Sequence, residues 1–245
     1  MSGQRTFLSQ SVWKRVPWED DIRTKLPMDD LVDIIADVAN CLADVKTLHG
    51  FAQNHDPYWA HLRVQVAICV KELNTWWCQW EENHPQAVGA ASSCPATKDQ
   101  LLRTLLEYDT LRTAYEACFH NTVRILLLQL CKIFQLFPNQ NPGTDSAIIL
   151  DIPNPTVLLG ISSDSLGLAR EILRSLKYCY GKSRRFIFTF SFLFIQEVAY
   201  GCFAKDSEEA RWFISQNWAG LGTLDDVEDT NLLRRLLPEG KISLV

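Results

Sequence analysis

The sequence predicts an all-α protein organised as a single helical domain. Three observations lead there: long apolar stripes at the 3.6-residue period, cap and stop residues framing them, and the near absence of two-residue alternation. With 245 residues, 47% of them hydrophobic, the chain can bury a core without disulfide or metal staples. The helical domain is assigned to residues 28–237, after an N-terminal extended segment (1–27) and before a C-terminal tail (238–245).

The first stripe runs from Met28 to Leu48 through Leu31, Ile34, Ile35, Val38, Leu42 and Val45. The second runs from Leu62 to Trp80 through Val66, Cys69, Val70, Leu73 and Trp77. It assigns two tryptophans of "NTWWCQWEENHP", Trp77 and Trp80, to a core-facing helix, with Trp76 beside that face. A third pattern spans Leu105 to Phe137 and stops at Pro138. Arg124, Gln129, Lys132 and Gln135 interrupt it well short of the ~20 apolar residues a membrane span needs. Ser163 or Asp164 opens a helix over Leu166 to Tyr180, closed by Gly181. Asp206 with Glu209 suggests a capping box before Trp212, Phe213 and Trp218, and a last short helix covers Asn231 to Leu237. Between these, 82–98, rich in Pro, Ala, Gly and Ser, reads as a surface loop, and 138–162, with four prolines, as a long irregular connection partly extended at "AIILDI". "FIFTFSFLFIQEVAY" alternates phenylalanines from Phe186 to Phe194, yet Ile187 and Leu193 between them are also apolar. A strand there would need burial on both faces, so a buried helix continuing through Gln196 to Phe203 is the better expectation.

Charge and ligand spacing narrow the chemistry. A net charge of -5, with both signs interleaved, argues against a surface built to neutralise phosphates, so direct specific nucleic-acid binding is not expected. The cysteines (41, 69, 78, 94, 118, 131, 179 and 202) include no C-x-x-C pair and lie mostly in apolar helical stretches, where a thiol behaves as a small hydrophobe. No secretory signal is recognisable among Trp13, Arg15, Trp18, Glu19 and Asp20. His49, His55 and His61 are six apart, on different faces of any helix, and Pro57 interrupts one. Nothing here marks a catalytic residue, a cofactor site or a metal site.

Two acidic clusters match D-D-x-x-D: Asp29, Asp30 and Asp33, then Asp225, Asp226 and Asp229. In class I terpene cyclases and prenyltransferases this spacing holds Mg²⁺ against a diphosphate, and eight tryptophans with twelve phenylalanines could furnish an aromatic chamber. The second motif of that enzyme class, N-D-x-x-S-x-x-x-E, is absent from the sequence. Carboxylates that open helices are also favoured by the helix dipole, by ~0.3–1 kcal/mol each, which accounts for both clusters without a metal.

The blocks "FLSQSVWKRVPWE", "LNTWWCQWE", "YEACFHNTVRILLLQL", "SLGLAREILRSLKYCY", "FLFIQEVAYGCF" and "EEARWFISQNW" resemble, in order, segments of fungal Zn2Cys6 transcription factors. They are similar to the C-terminal regulatory helical region of that family, over about Phe7 to Leu237. Only six residues precede Phe7, so the six-cysteine zinc cluster and the basic linker that contact DNA are not in this sequence. The resemblance implies fungal origin, a nuclear or cytoplasmic location and control of a specialised-metabolite gene cluster. It also implies action through a protein partner or small-molecule effector, with homodimerisation open; separately, the interrupted third stripe leads to no membrane role being expected. The alternative is a stand-alone enzyme of a biosynthetic cluster, cyclising a terpenoid or polyketide in an aromatic-lined helical pocket. A basic constellation facing Asp29, Asp30 and Asp33 across a cavity would favour the enzyme, and a sealed apolar interior the regulator.

Overall fold

The computed structural model describes residues 5–19, 25–48, 57–91, 105–134, 164–182 and 190–215, and these are predominantly α-helical. The elements are α1 (Ser11–Arg15), α2 (Pro27–Leu48), α3 (Pro57–Asn83), β1 (Val88–Ala91), β2 (Leu105–Tyr108), α4 (Leu111–Ile133), α5 (Ser165–Lys182), α6 (Phe190–Tyr200) and α7 (Glu208–Ser215).

The N-terminal segment is not extended throughout. Over residues 7–18, two 3-10 turns, Phe7–Ser9 and Val16–Trp18, flank α1. Thr6 caps the first turn by accepting the Leu8 N–H, and Pro17 fits the start of the second. None of these three elements contributes a buried residue.

Proline at the first helical position sets both long N-terminal helices, because its missing N–H would have no helical partner there. Pro57, expected to interrupt a helix through the histidines, thus opens α3, five residues before the stripe begins. The buried face of α3 is Trp59, Leu62, Val66, Cys69, Val70, Leu73, Trp76 and Trp80. Trp76, not Trp77, therefore continues the core stripe, and Trp77 packs half-covered against it.

Two of the sequence boundaries move. The predicted loop over 82–98 loses its first residues to α3 and contains β1, and the helix expected from Leu105 begins as β2. The strands pair antiparallel, Val88 opposite Tyr108 and Ala91 opposite Leu105. The helix cannot reach back past Thr110, whose backbone is extended and whose side chain accepts the Thr113 N–H. Thr113 returns the bond to the Thr110 N–H, a reciprocal cap that fixes the start of α4.

α4 is the central helix, packed against α2, α3, α5 and α6 and buried on nearly every side. Asp164 caps α5 by accepting the Leu166 N–H at 3.0 Å, and α5 runs through Gly181 to Lys182 instead of stopping there. The phenylalanine-rich segment is helical over its described part, with Phe192, Ile195, Val198 and Ala199 buried. That helix ends at Tyr200, and Gly201 to Phe203 form turns.

The cap of α7 is Ser207, whose Oγ accepts the Ala210 N–H at 3.1 Å. Asp206 does not form the expected box. Glu209 points instead to Arg170 of α5, 2.9 Å away. Trp218, the predicted helix over Asn231–Leu237, the loop at 138–162 and the cluster Asp225, Asp226 and Asp229 lie outside the described residues.

Candidate functional site

The junction of α3 and α4 gathers the most unusual side chains of the described chain. The helical period places Trp76, Trp77 and Trp80 on adjacent positions at the end of α3, facing His120 and Glu116 one turn apart on α4. The His120 ring stacks on Trp76 and on Trp77, with centroids 5.6 and 4.4 Å away and interplanar angles of 16° and 28°. Trp77 stacks in turn on Trp80 at 5.0 Å. Two of the indole N–H groups are satisfied here: Trp80 Nε1 donates to Glu116 Oε2 at 2.8 Å, and Trp76 Nε1 donates to the Pro27 carbonyl of α2 at 2.7 Å. Arg112 Nε completes Glu116 from the solvent side at 2.9 Å.

Burial, reinforced by the positive Arg124 guanidinium, pushes the His120 imidazole down to about 3, against the weaker pull of Asn121. The ring is therefore neutral across the ordinary pH range, and it sits in the stack as an apolar plate. Nothing in the junction pairs His120 with a nucleophile. Among the described cysteines, Cys118, Cys131, Cys179 and Cys202 are all raised by burial, the last three to about 12, which makes them poor nucleophiles. All seven described cysteines are free thiols; five are buried, Cys202 is partly covered and Cys78 is exposed.

The acidic cluster at the start of α2 is engaged at close range. Asp29 Oδ2 accepts the Leu26 N–H at 2.8 Å, a helix-start bond. Lys25 Nζ lies 2.6 Å from Asp30 and 2.7 Å from Asp33, filling the space between the two carboxylates. Burial alone would lower the Lys25 pKa, but the bonds to Asp30 and Asp33 outweigh it and raise it. Among the described residues no group of three or more His, Cys, Asp or Glu side chains is arranged to hold a metal ion.

Beside this cluster lies an open cleft of about 630 Å³. Ile34, Ile68 and Trp76 line its apolar part, while Lys14, Lys71 and Glu72 join Lys25, Asp30 and Asp33 on its rim. The expected sign of an enzyme, cations beside Asp30 and Asp33, is thus present in part. Two of its three lysines are already paired, Lys25 as above and Lys14 with Asp37. Burial and the neighbouring Asp37 and Asp33 charges raise the Glu72 pKa, against the weaker pull of Lys14.

Sequence reasoning missed Glu116 and His120. The available signal was two polar residues four apart on one face of a helix otherwise rich in Leu, Val, Ile and Ala. It also gave the wrong tryptophan to the core.

Replacing Asp29 and Asp30 together by Asn should cost about 1 kcal/mol or slightly more, since one cap bond and one half-exposed ion pair are lost. Thermal melts of the variant should shift by a few degrees only. A collapse of the fold would show that these carboxylates do more than start the helix.

No protein-family model, no curated protein and no solved structure matches this chain. Among the described residues, no helix is long and apolar enough to cross a membrane.

Proposed function

We propose that this chain is a regulatory domain of the kind found in the non-DNA-binding part of fungal Zn2Cys6 transcription factors. It controls a specialised-metabolite gene cluster by engaging a protein partner in the nucleus or cytoplasm. The observation that carries this reading is the state of the aromatic junction. Trp76, Trp80 and His120 are stacked, hydrogen-bonded and buried, and so fill the interface of two helices where a cyclase would need a hollow. A second support is the N-terminal segment, where Phe7, Leu8, Val12, Trp13 and Val16 are all exposed within ten residues. Apolar surface of this density commonly marks a protein-interaction site.

One observation favours the enzyme reading, namely the cleft that brings Lys14, Lys25 and Lys71 to the rim beside Asp30 and Asp33. In that reading the cleft binds an anionic substrate, and Lys25 must leave the two carboxylates before they can act. Gene deletion with parallel transcript and metabolite profiling separates the two. Regulation predicts that the transcripts of a whole gene cluster fall together. Catalysis predicts unchanged transcripts and one accumulated intermediate, which would overturn the regulatory reading.

A further inference from the structure

The N-terminal segment is amphipathic in the reverse sense. Arg5, Thr6, Ser9 and Lys14 reach the domain, while most of its large apolar side chains face away. Arg5 grips Asp44 of α2 through two bonds, Nε to Oδ1 at 2.6 Å and Nη2 to Oδ2 at 2.8 Å, and donates to Tyr58 Oη at 2.6 Å. The Thr6 N–H donates to Asn40 Oδ1 at 2.7 Å, Asn40 Nδ2 donates to Ser9 Oγ, and Lys14 Nζ pairs with Asp37. Against this, Phe7, Leu8, Val12, Trp13 and Val16 remain 42–57% exposed. Phe7 and Trp13 make an edge contact with each other, at a centroid distance of 5.3 Å.

Hydrophobic burial is the adhesive that normally holds a short helix to a domain, and here it is largely missing. What remains are a few ion pairs and polar bonds, with Arg5 exposed on its side of one pair and Lys14 and Asp37 part-buried in the other; attachments of this kind are individually modest and weaken as salt screens them. A segment held this way separates from its domain without disturbing the core, because it contributes no buried residue to it. Its position also matters to the cleft. Lys14 forms part of the rim and neutralises Asp37, so undocking removes that part of the rim and leaves Asp37 without its cation near Glu72.

We propose that residues 5–19 form a releasable arm, latched to α2 by charge, whose docking closes one side of the cleft bordered by Lys14, Lys71 and Glu72. The device goes beyond the regulatory reading and does not require it, since the latch follows from how the arm is attached.

Limited digestion of the full chain with a protease selective for bulky apolar residues tests it. Cleavage between Phe7 and Val16 needs the arm extended in the protease site, so its rate follows the released fraction when redocking is fast. Raising the salt from about 0.1 to about 1 M shortens the screening length from about 10 to about 3 Å. Cleavage in the arm should then rise about tenfold, corrected by the rate on a free peptide of residues 5–19. The double variant Arg5→Gln/Lys14→Gln, altered only on the arm, should be cut rapidly at both salt levels and melt with the wild type. Asp37→Asn/Asp44→Asn should behave alike from the other side of the latch. The proposal is overturned if arm cleavage follows the free peptide's salt response alone. It is equally overturned if both double variants are cut at the wild-type rate, or if the arm is cut only as the whole domain melts.

Discussion

Trp80→Ala is expected to give unfolded or aggregated protein. The side chain is 3% exposed, stacks on Trp77 and Trp76, and holds the Glu116 carboxylate through its indole N–H. Removing it costs about 3–5 kcal/mol through lost burial and the cavity left behind. It also strips a hydrogen-bond donor from a buried carboxylate, which adds about 1–3 kcal/mol. A typical domain has only about 5–15 kcal/mol in total. Trp77→Ala should cost less, because Trp77 is only partly covered and the structure records no hydrogen bond to a buried acceptor from it. Thermal melts of the two variants side by side check the ranking. A Trp80→Ala protein melting within a few degrees of the wild type would place that ring outside the core.

The second large effect is acid sensitivity centred on His120. In the folded protein its imidazole is depressed to about 3, while in the unfolded chain it titrates near 6.5. Below about 6.5 the unfolded chain takes up a proton that the folded protein refuses, so stability falls as pH falls. The loss approaches roughly 1.4 kcal/mol per pH unit between these two values and then levels off. The groups facing the ring are Trp76 and Trp77 from α3 and Asn121 and Arg124 from α4, and Asn121 Nδ2 bonds Glu171 of α5. His120→Phe keeps a ring against Trp76 and Trp77 but removes the titrating site. Denaturant unfolding at stepped pH should show the wild type losing stability relative to this variant as pH drops from about 6.5 toward about 3, by up to roughly 4–5 kcal/mol. Parallel pH profiles for the two proteins would mean that His120 is not held neutral by burial.

Much of the helical architecture was legible in the residues because α-helices repeat their contacts every 3.6 positions. The stripe from Leu31 to Val45 and that from Leu62 to Leu73 both became buried faces, and the phenylalanine-rich segment resolved as a helix where its alternation could have misled. The short hairpin was not legible. Val88–Ala91 and Leu105–Tyr108 are only four residues each and far apart in sequence, so neither carries a strand signal until the other lies beside it. The caps were partly legible. Asp164 behaved as expected, whereas at α7 the cap is Ser207 rather than Asp206, and Glu209 pairs with Arg170 on another helix, a partner no local pattern reveals.

By itself, then, the sequence determined that this chain is helical, where most of its long helices run, and that the carboxylates of Asp29, Asp30 and Asp33 open one of them. Only the tertiary structure decided what those side chains meet. Trp76 and Trp77 are adjacent, 100° apart on α3, and both lie within reach of the stripe, so helical period alone cannot rank them. The ranking comes from other elements: the Pro27 carbonyl of α2 waits for the Trp76 N–H, and Glu116 of α4 waits for Trp80. Asp30 and Asp33 likewise became partners of Lys25 because the chain entering α2 brings that ammonium between them. Periodicity is a property of one helix, whereas burial and pairing belong to the surfaces that two or more helices make together.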